Sequence, residues 1–334
     1  RATGVRMADG NELFAPLVIS DAGAHLTFTD LVPEASEFAS LTAGGGDQKL
    51  SMSHVCLYLG LNRTAEDLGL TKPNLWVYPS DDYDGDLARY AADPTAPLPV
   101  AYISFPSAKD PDFSRRYPGK ATLEVIGFAP FAWFAPWQGE QWSKRGAEYE
   151  ALKDGLVTRL LEQLYRRVPQ VEGAIEHMEL SSPLSTIHFT GHAEGAVYGL
   201  AATPQRFAEK AMPGAVSALA GGVIRRSGVR NAKRTTREVL DEVGASPRLA
   251  AVLTAQWGDY GLPPSQSSFF IHALVAGHYL WGGAYPVGGS GRIAETILPV
   301  IESRTGAVYT SAEVETILVE KGRATGVRMA DGNE

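Results

Sequence analysis

The sequence predicts an α/β fold with an α+β tendency, and three observations carry that expectation. His54–Leu61, Ala101–Phe105 and Leu123–Phe128 read as strands separated by turn-rich stretches. Ala151–Val168 reads as one long amphipathic helix, with Leu152, Leu156, Leu160, Leu161, Leu164 and Val168 on a single stripe. Near the other end a helical spacing over Gly291–Ser303 gives way to runs of β-branched residues.

The composition suits a folded core. Of 334 residues, 44% are apolar and 20% charged, with 30 basic against 38 acidic side chains for a net charge of −8. These are ordinary globular values, and the length fits one large or two moderate domains. They exclude intrinsic disorder. A single cysteine, Cys56, cannot form an internal disulfide, so no oxidising compartment is required. No run of about 18 apolar residues and no signal-peptide core is present, so a cytoplasmic location is expected. The negative net charge disfavours non-specific binding to nucleic acid.

Read in order, the chain opens on RATGVRMADGNE at Arg1–Glu12, and the same 12 residues return at Arg323–Glu334. Solenoid repeats recur at shorter periods and drift in sequence; this one does neither. Leu13–Ser20 reads as a strand with Pro16 near its start, followed by the turn Asp21-Ala22-Gly23-Ala24-His25. Tyr78–Asp86 is turn-rich, and its aspartates miss the glycine spacing of a calcium loop, so a solvated acidic turn is expected. Glu209–Glu238 holds seven basic and two acidic residues beside an apolar stripe. Such a segment either lies on the protein as a solvated helix face or makes peripheral contact with an anionic membrane. Pro299 should bend or shorten the helix at Gly291–Ser303. Ala307–Tyr309 and Glu313–Val319 are expected as strands, and Glu320-Lys321-Gly322 as a turn into Thr325–Met329. Both Thr3–Met7 and Thr325–Met329 suit pairing with Glu313–Val319. The short connection favours the C-terminal copy and leaves the N-terminal copy frayed or paired elsewhere.

Few motifs carry chemistry. Gly289-Ser290-Gly291-Arg292-Ile293-Ala294 matches a dinucleotide loop that opens a helix, but the preceding Ala284–Val287 is too short for a buried parallel strand and contains Pro286. His188 and His192 are separated by Gly191, and His54 with Cys56 supplies two ligands at most, so no metal site is expected. Cys56 reads as core packing. No nucleophile elbow or P-loop occurs. Aromatic residues crowd 128–142 and 257–285, as in apolar ligand sites and in ordinary cores alike.

Several longer phrases, taken together, resemble one family. They are Leu253–Pro264 (LTAQWGDYGLPP), Gly282–Ala294 (GGAYPVGGSGRIA), Tyr102–Pro111, Glu179–Arg206, and Ser311–Glu334 continued by Leu13–His25. The chain is similar to the flavin-dependent family of bacterial-type phytoene desaturases, carotenoid isomerases and retinol saturases. The order differs, since the stretch like 207–334 precedes the stretch like 13–206 in that family, so a circular permutation of its central region is expected. The opening flavin fingerprint and closing glycine-rich segment of the family are not recognisable here.

The resemblance implies a substrate-domain mixed sheet with covering helices, plus part of an FAD/NAD(P)-binding-type fold. It implies flavin-contacting sheet segments in 1–25 and 282–334, a substrate-domain sheet and helix in 26–206, and a basic, aromatic helical region in 207–281. FAD would pass Gly288, Gly289, Ser290, Glu313, Val314, Asp21, Ala22 and Gly23. Trp257, Tyr260, His272, His278 and Tyr285 would face a polyene or other long apolar substrate. No acid–base residue is indicated. The implied function is an FAD-dependent oxidoreductase of desaturase, saturase or isomerase type, incomplete as written, with FAD bound poorly or not at all. The alternatives are a flavin-free module for an apolar ligand or partner, and a rearranged fragment without activity.

Overall fold

The near-continuous apolar run over 54–61, with Val55, Leu57, Leu59 and Leu61 at every second position, produces a strand that sits inside the larger of two sheets. A computed structural model of the chain describes residues 4–8, 10–15, 17–32, 42, 48–142, 144–208, 230–320, 323–324 and 328–329. Its strands are β1 (Gly4–Met7), β2 (Gly10–Phe14), β3 (His54–Leu61), β4 (Leu75–Val77), β5 (Ala101–Ser104), β6 (Ala121–Phe128), β7 (Ile175–Ser181), β8 (Val314–Glu320), β9 (Arg323–Ala324) and β10 (Arg328–Met329). The longer helices are α1 (Tyr83–Ala92), α2 (Gly146–Arg167), α3 (Pro183–Thr190), α4 (Thr236–Glu242), α5 (Pro247–Leu253), α6 (Phe269–Tyr279) and α7 (Gly291–Glu302). The chain divides into one unit of residues 51–293 and another of residues 1–50 with 294–334. Helices and strands together make the α/β class that the sequence predicts, and every described strand pair is antiparallel.

In the unit 51–293 the sheet runs β4-β5-β6-β3-β7. Val55, Leu57, Leu59 and Leu61 of β3 and Leu123 and Val125 of β6 share one face and are buried. Helix α2 covers that face with Leu156, Leu160 and Leu164. Each such side chain, removed from water, contributes about 1.5–3 kcal/mol. Gly127 lets the helix come close, because a Cβ there would stand 3.2 Å from a Leu160 methyl.

The acidic stretch expected as a solvated turn is instead a helix start. Asp82 caps α1 by accepting from Gly85 N at 3.0 Å, Asp84 accepts from Ser265, and Asp86 pairs with Arg89. Clustered aspartates look like a turn locally, yet they are also the preferred N-cap and first-turn residues. Gly191, at φ 69°, ends α3 before His192, as the sequence suggests. In the basic segment, residues 209–229 lie outside the described residues. Beyond them Arg230 and Arg234 both reach Glu242, so part of the charge is neutralised within its own helical region. Among the described residues no helix is long and apolar enough to cross a membrane.

The second unit holds the sheet β10-β2-β1-β8-β9. Here the N-terminal copy of the repeat, not the C-terminal one, forms the long ladder with β8: Gly4 pairs with Leu318, Val5 with Ile317 and Arg6 with Thr316. The C-terminal copy contributes β9, paired with Val319 and Glu320, and β10, paired with β2. Residues Arg6 and Arg328, equivalent in the two copies, both stand opposite Glu12, one on each edge of β2. Identical sequences carry identical pairing preferences, so the choice between them is set by the surrounding sheet. The expected turn at Lys321-Gly322 lies outside the described residues.

Two further expectations are corrected. Strand β2 ends at Phe14 instead of continuing to Ser20, in keeping with Pro16, which has no N–H to give to a ladder. Ala307–Tyr309 forms no strand; it lies between Thr305 and Ser311, whose positive φ values of 60° and 54° turn the chain at both ends. Helix α7 spans Gly291–Glu302 with Pro299 inside it.

Candidate functional site

The face of the larger sheet opposite α2 carries a different kind of side chain. Cross-strand register places Trp76, Tyr102, Ile126 and Cys56 in one row and His54 opposite Phe128. A parallel row holds Ser104, Glu124 and Tyr58. This face is aromatic at one end and polar at the other.

Over the aromatic end lies the turn Trp257-Gly258-Asp259-Tyr260. It follows α5, and two tyrosines hold the chain leading into it: Tyr83 Oη, at the start of α1, donates to Ala251 O of α5 at 3.1 Å, and Tyr78 Oη donates to Ala255 O. Trp257 is fully buried and stacks on Phe128 with ring centroids 5.2 Å apart. Tyr198 Oη donates to Gly258 O at 2.9 Å. Between turn and sheet is a cavity of 190 Å³ lined by His54, Trp76, Val100, Tyr102, Ile126, Phe128, Val197, Tyr198, Gly258 and Asp259.

Its polar groups are perturbed by their apolar surroundings. Burial lowers the pKa of His54, whose Nδ1 is shielded from solvent and has no partner among the described residues. Burial raises that of Asp259, although Tyr279 Oη donates to its Oδ2 at 2.5 Å and His278 opposes the rise. Tyr198 is pushed up to about 12 for the same reason. Further along the face Lys109 Nζ donates to Asn74 Oδ1 at 2.6 Å and Ser104 Oγ at 3.0 Å, and Asn74 donates to Tyr102 Oη. Burial lowers the pKa of Lys109 and raises that of Glu124. Shifted titratable groups gathered on one face mark it as a functional-site candidate. Cys56 is buried beside them, its thiol pushed up to about 12, which suits packing and not nucleophilic attack. Among the described residues no group of three or more His, Cys, Asp or Glu could hold a metal ion.

Of the residues implied for the substrate side, Trp257 backs the cavity, and Tyr260 Oη meets His272 Nδ1 at 3.1 Å, both residues buried. His278 is exposed at the end of α6, and Tyr285 is half-buried in the chain between α6 and α7. Nothing in the sequence marks His54, Trp76, Tyr102, Tyr198 and Asp259 for this role, yet they line the cavity. The strand alternation of His54 was legible, but its partner Phe128 lies 74 positions away and only the register joins them.

The residues implied for the cofactor fall in both units. Gly288, Gly289 and Ser290 precede α7 in the unit 51–293. Gly288 N donates to Asp110 Oδ1 at 2.9 Å, and Arg116 pairs with the same carboxylate. Asp21, Ala22 and Gly23 lead into a helical segment over 24–31 that packs on β8, and Glu313 O accepts from Ala8 N at the start of that strand.

A flavin adenine dinucleotide needs its diphosphate held by a strand, a glycine-rich turn and a helix N-terminus. The described residues contain no such unit. Gly289-Ser290-Gly291 opens α7, but turn and irregular chain, not a strand, precede it. The described residues therefore do not fit the dinucleotide's diphosphate.

No family model matches the chain. It is 32% identical over 207 residues to the all-trans-retinol 13,14-reductase of Homo sapiens, covering 60% of this chain and 34% of that protein. Shorter matches join it to the phytoene desaturase (neurosporene-forming) of Cereibacter sphaeroides, 48% identical over 52 residues covering 16% of this chain and 10% of that one. The prolycopene isomerase of Daucus carota is 45% identical over 58 residues, covering 17% of this chain and 9% of its own length. The chain thus spans about a third of the length of the retinol reductases it matches.

Proposed function

We propose that this chain, a relative of the retinol saturase and carotenoid desaturase family of oxidoreductases, is the part of such an enzyme that holds a conjugated polyene or similar long apolar substrate. The observation that carries the reading is the aromatic cavity between the Trp257–Tyr260 turn and the open sheet face. Aromatic rings offer a flat, polarisable and largely water-free surface, which suits an extended conjugated system. The complete enzyme would act with FAD, as the resemblance implies, and the flavin would supply the hydrogen-transfer chemistry. This chain's own residues bind the substrate, exclude water and set its position.

Purified chain titrated with retinol tests the reading by tryptophan fluorescence, because Trp76 lines the cavity and Trp257 backs it. Saturable quenching, together with an absorbance spectrum free of stoichiometric flavin, is the expected result. Absence of quenching overturns the binding role, and a stoichiometrically yellow protein overturns the expectation that this chain alone does not retain FAD.

A further inference from the structure

We infer that Arg145 and the aromatic residues around it form a second binding site, for a small oxyanion, carboxylate or phosphate, carried on a flat aromatic body. The site is independent of the polyene reading, and none of its residues lines the cavity under the Trp257–Tyr260 turn.

The guanidinium supplies the reason for an anion. Arg145 stands at the N-cap of α2 and is only 9% exposed. Among the described residues its side chain has neither an ion pair nor a hydrogen bond. A charge taken out of water is costly unless a partner of opposite sign offsets the loss. Its Nε is fully shielded, whereas Nη1 and Nη2 keep accessible surface. These two nitrogens form the edge of the fork that grips a carboxylate or phosphate through parallel hydrogen bonds.

Rings hold that fork in place without using its donors. Arg145 Cζ lies 5.4 Å from the centroid of Trp142 and 5.2 Å from that of Tyr149. Tyr149 is itself fixed, with Oη 2.8 Å from Ser182 Oγ and the edge of Trp137 at 5.5 Å. The ring faces attract the cation but offer no in-plane acceptor to its N–H groups. Lys153 Nζ stands 5.5 Å from the same Tyr149 ring and adds a second positive charge. The acidic residues nearby do not neutralise Arg145. Glu150 reaches Lys153 at 3.8 Å, and Glu148, in the first turn of α2, makes no ion pair among the described residues.

The neighbouring rings supply the reason for an aromatic body. Trp142 stacks on His188 with centroids 4.6 Å apart, and Phe189 stands edge-on to both, at 5.1 and 4.8 Å. Phe189 is nevertheless 72% exposed. A bare anion meets only the guanidinium, whereas an aryl anion also covers apolar ring surface that water now touches.

The test titrates the full chain, isotope-labelled for NMR, and follows the Trp142 indole N–H and the Arg145 Nε–H signals. The probes are benzoate and phenyl phosphate, then acetate and inorganic phosphate, then neutral benzamide. Benzoate or phenyl phosphate should move both signals saturably, and the tighter of the two names the preferred anion. Acetate and inorganic phosphate should bind more weakly than their aryl counterparts, and benzamide about tenfold or more weakly, for want of hydrogen bonds to a charged group. Arg145→Gln should abolish the preference for aryl anions over benzamide, and Arg145→Lys should restore part of it; circular dichroism confirms that each variant is folded. Neither signal moving in the parent with any aryl anion overturns the site, and this readout needs no variant to fold. Benzamide binding as tightly as benzoate, or unchanged affinity in folded Arg145→Gln, overturns the role of the charge. Acetate and inorganic phosphate matching the aryl anions overturns the role of the rings.

Discussion

Gly258 lies so close to the indole of Trp76 that a Cβ at this position would stand 2.2 Å from ring carbon Cζ3. Backbone and ring are held together from both sides: Tyr198 donates to the Gly258 carbonyl, and Trp76 rests against Tyr102 with centroids 4.5 Å apart. Gly258→Ala must therefore push Trp76 out of place or lift the turn. Overpacking of this kind costs about 1–3 kcal/mol. Urea unfolding should show that loss, and retinol affinity should fall at least tenfold because Trp76 and Gly258 both form the cavity wall. Unchanged affinity in a folded Gly258→Ala protein would mean that the cavity is not where the ligand binds.

The glycine loop before α7 depends on a buried carboxylate. Burial alone would raise the pKa of Asp110, but the N–H groups of Gly288 and Asp112 and the Arg116 guanidinium outweigh it and hold the value below the ordinary range. A depressed folded pKa means that the unfolded chain binds more protons as the solution is acidified. The stability Asp110 supplies is therefore complete above the ordinary carboxylate value near 4 and is lost as pH falls through the folded value. Asp110→Asn should cost about 1.5–3 kcal/mol at neutral pH, the range for hydrogen bonds to charged groups. It should also flatten the acid limb of the stability curve. Urea midpoints between pH 2 and pH 7 measure both, and an acid limb as steep in Asp110→Asn as in the parent would assign that limb to other groups.

His54 and Asp259 should give pH slopes of opposite sign. Burial lowers the His54 value, so between the folded value and the ordinary 6.5 the unfolded chain binds the extra proton. Its contribution is complete above 6.5 and declines as pH falls. Asp259 is raised from the ordinary 3.8, so the folded chain holds the extra proton and the contribution is lost as pH rises through the folded value. Neither slope can exceed about 1.4 kcal/mol per pH unit for a single group. Relative to the parent, His54→Gln should gain stability on acidification below pH 6.5, and Asp259→Asn should gain it on alkalinisation above pH 4. Unfolding midpoints on a pH series read the two directions separately, and slopes of the same sign would contradict the burial assigned to one of the residues.

What could be read from the chain follows the range of the interactions. Strand β3 and helix α2 were legible because alternation and a leucine stripe are local signals, and the aromatic Trp257 and Tyr260 drew notice by type. The cavity was not legible in the same way. It arises from strand register, which sets His54 beside Phe128 and Trp76 beside Tyr102 across long sequence separations. The helix start at Asp82 has the sequence of a turn, because a capping aspartate and a turn aspartate look alike until the following residues pack. Asp259 lies within the phrase Leu253–Pro264, but nothing local distinguishes its carboxylate; its perturbation comes from burial against the apolar walls around it.

The duplicated strand offers a comparison in which the sequence is held constant and only the surroundings differ. Arg6 sits in β1, paired on one side with Glu12 of β2 and on the other with Thr316 of β8, while Arg328 of β10 pairs, among the described residues, with Glu12 on one side only. A proline at Arg6 removes a backbone donor from a strand flanked on both sides, where proline is not tolerated. The orphaned partner group, and the Arg6–Glu12 ion pair at 3.3 Å, are lost with it. Arg6→Pro should therefore destabilise its unit by at least about 1–3 kcal/mol, the cost of leaving a buried acceptor unsatisfied. The same substitution at Arg328 falls on an outer strand, where proline is accommodated, and should cost less than about 1 kcal/mol. Amide hydrogen exchange reports the two cases locally: protection of β2 and β8 should collapse in Arg6→Pro and persist in Arg328→Pro. The reverse order would show that the C-terminal copy, as its short connection to β8 suggests, holds the ladder in solution.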